Sequence, residues 1–446
     1  MTKYLRQSWS GSKTFRVILV ITLVYVALRL VIQSVYIVAL SWIGEGAGTI
    51  PNDLQDYLDG ATRLHLRQDL YPKGKLEHVE FYQYAPSYAL VFIPFLWLSP
   101  MTVTIIHTLL HIVAYGLLYI RWEQLFRRWK LGTASKLLAV MLPVWLLFSA
   151  FWDDLGYLNI YIIMALLSTF LIEAVLEERL GWAIVWLSIM LQVKPQWAFA
   201  AAVPLLLGRY RFFAKLLAAA IVAYIAITGA TLLVVGPSYG WQQYLNYFQF
   251  LLSMPANFPW RGPGAPFLGY NHSIKQTVFY LLGTTPNAML LATLVKLLIL
   301  APLAAVSLRH LLRPLGRPGH TVPQLGLDMA FALYLGAFIW LDMVWEVSLG
   351  IVVFIYLLAT LAQRNTKILI YAVFLPYALL DPWRIISFIL SMVGLDTVAP
   401  GPYILTDPYI YAPLIMVIIV IFYALLVMRL WNAKLDPATT LAQTVG

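Results

Sequence analysis

The run Val17-Ile-Leu-Val-Ile-Thr-Leu-Val-Tyr-Val-Ala-Leu-Arg-Leu-Val-Ile-Gln-Ser-Val-Tyr-Ile-Val-Ala-Leu-Ser-Trp-Ile43 decides the solvent of this chain and, with it, the fold. It is too long for a signal-peptide core and lacks a convincing cleavage site, and Lys3, Arg6, Lys13 and Arg16 precede it. It reads as an uncleaved first span with its N-terminus in the cytoplasm. The rest of the chain has the same character. Of 446 residues 61% are hydrophobic and 11% charged, with mean hydropathy +0.78, whereas a soluble domain carries about 25% charged residues. Hydrocarbon offers backbone amides no partners, so spanning segments are helices or strands of a closed barrel, and long apolar runs without alternation exclude the barrel. The expectation is an all-α, polytopic transmembrane bundle of about 11–13 spans with long external loops.

A formal charge of +10 and a pI near 9.5 would suggest nucleic acid in a soluble protein. Here Lys and Arg gather in short runs between apolar segments, which is the positive-inside pattern of a cytoplasmic membrane protein. Placing the clusters at Arg121–Lys130, Glu177–Arg179, Arg209–Lys215, Arg309–Arg317, Arg364–Lys367 and Arg429–Lys434 inside sets the intervening loops outside. Two stretches strain this scheme. Tyr84 to Ile120 reads as two helices broken at Ser99-Pro100 where charge parity wants one crossing, so either the Arg127 cluster is external or one helix does not cross fully. Gly181 to Gly208 reads as two short halves meeting at Lys194-Pro195, a turn at a polar cavity. No second soluble domain is evident: residues 1–446 form one integral membrane domain, with a first external loop over 44–84, a second over 236–280, and a loose tail from Leu435 to Gly446.

The first loop is the longest polar segment. Within it Asn52 to Arg67 reads as a surface helix: Asn52 as N-cap, Asp53 and Asp56 in the first turn, and Leu54, Tyr57, Leu58, Ala61 and Leu64 at helical spacing. Asp56 and Asp59 are solvated charges on it. The absence of cysteine removes disulfides, thiolate metal sites and Cys nucleophiles. No GK[ST] phosphate loop, HExxH or GxSxG occurs, so ATP-driven pumping, zinc proteolysis and lipase-type hydrolysis lack support. His107 and His111 have i, i+4 spacing, but on an apolar helix such a pair more often packs or bonds a neighbour than binds metal. Asp153-Asp154 is adjacent rather than spaced, and neither a metal nor a cofactor is implied.

The informative stretches are Asp53-Leu-Gln-Asp-Tyr57-Leu-Asp-Gly60-Ala61, then Asp69-Leu70-Tyr71-Pro72, then Phe81-Tyr-Gln-Tyr84-Ala-Pro86. Together they resemble the first external loop of glycosyltransferase family 87, membrane enzymes of the GT-C superfold that take a sugar from a polyprenyl phosphate. Gly156 and Asn159, Lys194-Pro195-Gln196, and Asn271-His-Ser273 continue the resemblance in order along the chain. It implies a polyprenyl-phosphate-mannose-type donor, a glycolipid or glycan acceptor, no nucleic acid, and an inverting transfer on the external face with Asp53 as general base. General-base chemistry independently requires a carboxylate within hydrogen-bond reach of the acceptor hydroxyl. The alternative for Asp53 is a helix-capping role.

A departing lipid phosphate needs positive charge, and an ionisable residue within a bilayer is a functional candidate by default. Lys194 fits best, with snorkelling as its bland alternative; His272, Lys275 and Arg384 are further phosphate candidates, each equally suited to a structural ion pair. Tyr57, Tyr84, Asn159, Gln196, Asn271, Trp345 and Glu346 are read as bordering the substrate. The aromatics of the second loop, Trp241 to Trp260, suit sugar rings and suit an interfacial belt equally. One segment departs from the family. Where many members carry Ser-Pro-x-x-Trp-x-His-His, this chain has Leu341-Asp-Met-Val-Trp345-Glu-Val347-Ser348, so the Trp remains and both histidines are replaced. Their contact falls to Glu346, Asp342 or a basic residue elsewhere, which leaves the sugar open. A lipid or sugar transporter or flippase without transferase activity is the alternative of a different class.

Overall fold

Apolar runs punctuated by proline, glycine and basic residues become helices throughout the computed structural model, which describes residues 2–42, 51–77, 81–265, 268–269, 271–312, 323–345, 347–394 and 408–432. No strand forms among the described residues. Five helices are long and apolar enough to cross a membrane: Lys13–Ala39, Pro100–Arg128, Tyr210–Val235, Pro286–Leu312 and Leu414–Asn432. Two bent pairs, Gly132–Val140 with Leu142–Tyr157 (58°) and Arg364–Ala378 with Leu380–Met392 (46°), raise the number to seven if each is one span. Prolines account for the first bend: Pro143 has no N–H to continue the ladder. Shorter apolar helices include Pro86–Trp97, Tyr161–Leu176, Leu180–Val193 and Gly350–Thr360. The long helices expose large apolar side chains, Val24, Val222 and Leu233 among them, at 66 to 80% of their surface. Such surfaces are stable in lipid rather than water, and the chain is a multi-pass, all-α membrane protein.

The chain divides into two compact units. The first comprises Met1–Leu166, Ile225–Pro259 and Glu346–Tyr411. Its centre is the Gly350–Thr360 helix, whose residues Ile351 to Leu357 are wholly buried and which packs on Gly132–Val140. At eleven residues this helix is too short to span, and protein rather than lipid surrounds it. The second unit comprises Leu167–Tyr224, Trp260–Trp345 and Ala412–Gly446. There the buried Pro323–Trp340 helix packs on Pro286–Leu312 and on the 3-10 segment Pro195–Ala202, with Trp197 set between Tyr334 and Phe338. Gly326 makes that packing close: a Cβ there would lie 2.4 Å from Leu176 Cδ2.

The surface helix of the first loop runs Asn52–His65 and buries Leu54, Tyr57, Leu58, Ala61 and Leu64, the positions its periodicity selects. Its start differs by one residue. Pro51, not Asn52, occupies the cap, no side-chain cap bond is made there, and the Pro51 carbonyl accepts the Gln55 N–H at 2.9 Å. Proline's fixed φ suits a helix start, so Asn52 is drawn into the first turn. The break at Ser99-Pro100 is present, Ser99 capping the Pro100–Arg128 helix through the Thr102 N–H at 3.2 Å. The preceding segment, Pro86–Trp97, is short and ends in 3-10 turns, so of the two ways to reconcile the charges, incomplete crossing by this helix fits its length. The second loop is largely helical, Pro237–Asn257 and Ile274–Leu282. The tail from Leu435, part of the first loop, and Glu346 lie outside the described residues.

Candidate functional site

In the first unit Asp53 stands, half-buried, in the first turn of the Asn52–His65 helix, where the helix dipole interacts favourably with a carboxylate. Its Oδ1 accepts a hydrogen bond from Nδ2 of Asn159 at 3.1 Å. Asn159 is itself fixed. Its Oδ1 accepts from the Ile160 N–H at 2.8 Å, which leaves the amide NH2 turned toward Asp53, and its own carbonyl bonds Nε2 of His111. The turn that carries it is built by Leu158 in a left-handed conformation (φ 53°) and by Asp154, which accepts the N–H groups of Tyr161 and Ile162 at 3.1 and 3.0 Å. His111 also bonds the His107 carbonyl, and His107 stacks on Phe92, so this pair packs and bonds neighbours. Among the described residues no group of three or more His, Asp and Glu side chains is placed to hold a metal ion.

Tyr57 and Tyr84 are buried and their hydroxyls meet at 3.3 Å, in a ring cluster with Tyr88 and Phe92. Burial pushes both phenols well above their ordinary range, and the nearby charge of Asp53 adds to the shift. Both therefore stay protonated and cannot act as bases. The following turn is pinned to the Pro237–Asn257 helix, Leu70 N–H donating to Gln243 and Asn246 donating to Asp69, each at 2.9 Å. Arg384 pairs with Asp153 at 2.5 Å, while Asp381 receives Arg29 at 2.9 Å and the Tyr25 hydroxyl. The basic residue at 384 thus has a carboxylate partner in the protein.

In the second unit Lys194 is the junction between the Leu180–Val193 helix and the Pro195–Ala202 turns, 4% exposed, with φ −138° and ψ 86°. An extended conformation is what a following proline imposes, and it stops the helix there. Gln196 lies partly buried in the next turn. Asn271 ties two segments together: Oδ1 accepts from Ser273 and Val344 N–H groups at 3.0 and 3.1 Å, and Nδ2 donates to the Asp342 carbonyl at 2.9 Å. His272 is buried beside it, its N–H on the Val344 carbonyl at 2.8 Å, and Ser273 caps the Ile274–Leu282 helix. Trp345 is half-buried.

Lys275 reaches Asp342 at 2.9 Å and lies 4.4 Å from the centre of the Trp260 ring. A second lysine, Lys296, binds the other oxygen of Asp342 at 2.5 Å and the Trp340 and Leu341 carbonyls at 2.9 and 3.3 Å. Burial acts to raise the Asp342 carboxyl, but the hydrogen bonds from Lys296 and Lys275 outweigh it and hold the group below its usual range. The cluster carries two ammonium groups on one carboxylate, an excess of one positive charge. Sequence reasoning missed Lys296, although a lysine inside the apolar run Pro286–Leu312 meets the criterion that selected Lys194. It likewise missed Arg29 within the first span.

Comparison with known proteins gives a family match. The family described as Glycosyltransferase family 87 matches residues 82–321, more than half of the chain. Asn159, Lys194, Asn271, Lys275 and Lys296 fall within the match, and Asp53 and Asp342 outside it. No curated protein and no solved structure matches.

Proposed function

This chain belongs to glycosyltransferase family 87 and is a membrane glycosyltransferase, and we propose that it moves a sugar, mannose or a close relative, from a polyprenyl phosphate to an acceptor hydroxyl on the external membrane face with inversion. In that reaction the acceptor oxygen forms a bond to the anomeric carbon while the bond to phosphate oxygen breaks. The phosphate leaves with the electron pair, and the acceptor proton passes to Asp53. The observation that carries the assignment is the Asp53–Asn159 hydrogen bond, in which an asparagine locked by its own turn fixes one carboxylate oxygen. A base held in one orientation costs no reorganisation when the hydroxyl arrives.

Lys194, with His272 or Lys275, holds the departing phosphate in this reading. Lys275 and Lys296 supply the excess positive charge that a phosphate dianion requires, and their shared carboxylate keeps two buried ammonium groups charged without a ligand. With the histidines of the family pattern replaced, this cluster brings charge to that segment through Asp342. Family membership favours transfer over the transport alternative.

The test is incubation of membranes bearing the protein with labelled polyprenyl-phosphate sugars and a lipid extract. The wild-type chain moves one label onto an acceptor and releases polyprenyl phosphate; Asp53→Asn retains donor binding and stops transfer. Transfer by the variant at the wild-type rate rejects Asp53 as base, and lack of transfer by the wild type from every labelled donor rejects the polyprenyl-phosphate reading.

A further inference from the structure

The first unit carries a second basic feature that the transfer reaction does not use. The helices Gly132–Val140 and Arg364–Ala378, with the end of Gly350–Thr360, border a half-open groove of about 290 Å³ lined by Thr133, Lys136, Leu137, Leu358, Lys367 and Tyr371, with Thr133 and Lys136 exposed and Lys367 half-buried. That volume has room for a phosphodiester headgroup.

Its chemistry is one-sided. Neither Lys136 nor Lys367 has an ion pair or side-chain hydrogen bond among the described residues, whereas Lys275, Lys296, Arg29 and Arg384 are all paired with carboxylates. The Thr133 and Tyr371 hydroxyls likewise have no partner there. Both helices start without a side-chain cap, so their partly positive N-terminal ends add to the two ammonium charges. One flank is apolar: Leu137, Val140 and Leu358 border the groove, Val140 at 37% exposure. A free phosphate has no use for that flank, while a lipid lays its acyl chains along it. Basic pockets between membrane helices bind anionic headgroups for this reason.

We propose that this groove binds the phosphate headgroup of an anionic membrane phospholipid, with Lys136 and Lys367 as counter-charges and Thr133 and Tyr371 as hydrogen-bond donors. The full-length protein in detergent is titrated with dioleoylphosphatidylglycerol, dioleoylphosphatidylcholine or inorganic phosphate, and bound ligand is counted by native mass spectrometry. Each lysine near an anionic headgroup contributes enough for about a fivefold change in affinity, so K136Q or K367Q weakens phosphatidylglycerol binding about fivefold and the double variant about 30-fold. Phosphatidylcholine binding does not change. K136R/K367R keeps binding, and R211Q/K215Q, which removes two charges elsewhere, binds like the wild type.

Equal binding by the wild type and K136Q/K367Q overturns the site, as does equal loss in R211Q/K215Q, which reduces the effect to net charge. Inorganic phosphate that binds as tightly as the lipid overturns the lipid assignment. If the double variant raises the donor requirement of sugar transfer and leaves phosphatidylglycerol binding intact, the groove belongs to the substrate path and the proposal fails.

Discussion

Replacing Asp342 with asparagine should destabilise this protein more than removing either lysine that binds it. The side chains of Lys275, Lys296 and Asp342 are 6, 5 and 30% exposed, so the two ammonium groups depend on protein for solvation. D342N leaves both charged with no carboxylate, and uncovering a buried charge costs about 3–5 kcal/mol. The Trp340 and Leu341 carbonyls still hold Lys296, the Trp260 ring still covers Lys275, and Asp342 keeps some contact with solvent. These features bring the cost to about 2–3 kcal/mol. K296M instead leaves the one-to-one pair of Lys275 and Asp342, with an apolar chain of similar length in the vacated space, at about 1 kcal/mol or less. Unfolding at a fixed heating rate in one detergent, followed by tryptophan fluorescence, ranks the variants even where unfolding is irreversible. The D342N/K296M double variant should be more stable than the sum of the two single losses predicts, because it strands one lysine rather than two. Equal losses for D342N and K296M, or simple additivity in the double variant, would refute the charge accounting.

The same cluster fixes a pH dependence. The folded-state carboxyl of Asp342 is depressed, so its stabilisation is fully present above the unfolded value of about 3.9 and is lost as pH falls through the folded value. The stability gap between wild type and D342N should stay constant from about pH 5 to 8 and close below about pH 4; a gap that widens on acidification contradicts the pairing. Asn159→Ala should slow transfer about 10- to 100-fold, the worth of a hydrogen bond to a charged group, as read in initial rates, and lower stability by about 1 kcal/mol through the lost bond to the Ile160 N–H. Gly60→Ala would place a Cβ 2.4 Å from the ring of Tyr82, whose hydroxyl is tied to the Ala85 carbonyl at 2.8 Å. Over-packing of about 1–3 kcal/mol exceeds the helix-propensity gain of about 1 kcal/mol, so the melting temperature should fall, and a rise would show that the ring yields. Lys194→Ala should raise the donor concentration for half-maximal rate about tenfold; a change confined to thermal stability makes the residue structural.

Local chemistry makes much of the fold legible in the sequence. Leu54, Tyr57, Leu58, Ala61 and Leu64 announce a helix and its buried face because periodicity needs only neighbouring residues. The breaks at Ser99-Pro100 and Lys194-Pro195 follow from a ring that cannot donate a hydrogen bond. The family's motifs likewise lie in short runs, and they led to Asp53, Asn159 and Lys194. Sequence alone therefore determined a helical membrane protein, its breaks, and a short roster of polar residues worth suspecting.

What each of those residues touches was decided only by tertiary structure. Asp53 and Asn159 are 106 positions apart, Lys296 and Asp342 are 46 apart, and Arg29 and Asp381 are 352 apart. Long apolar helices give no hint of such pairs, since a helix that is hydrophobic on every side carries no stripe to say which face meets which neighbour. In lipid the cost of an unpaired charge is high, so every buried ion must find its counter-ion wherever packing brings one. The sequence states that such partners exist, and the fold alone selects them.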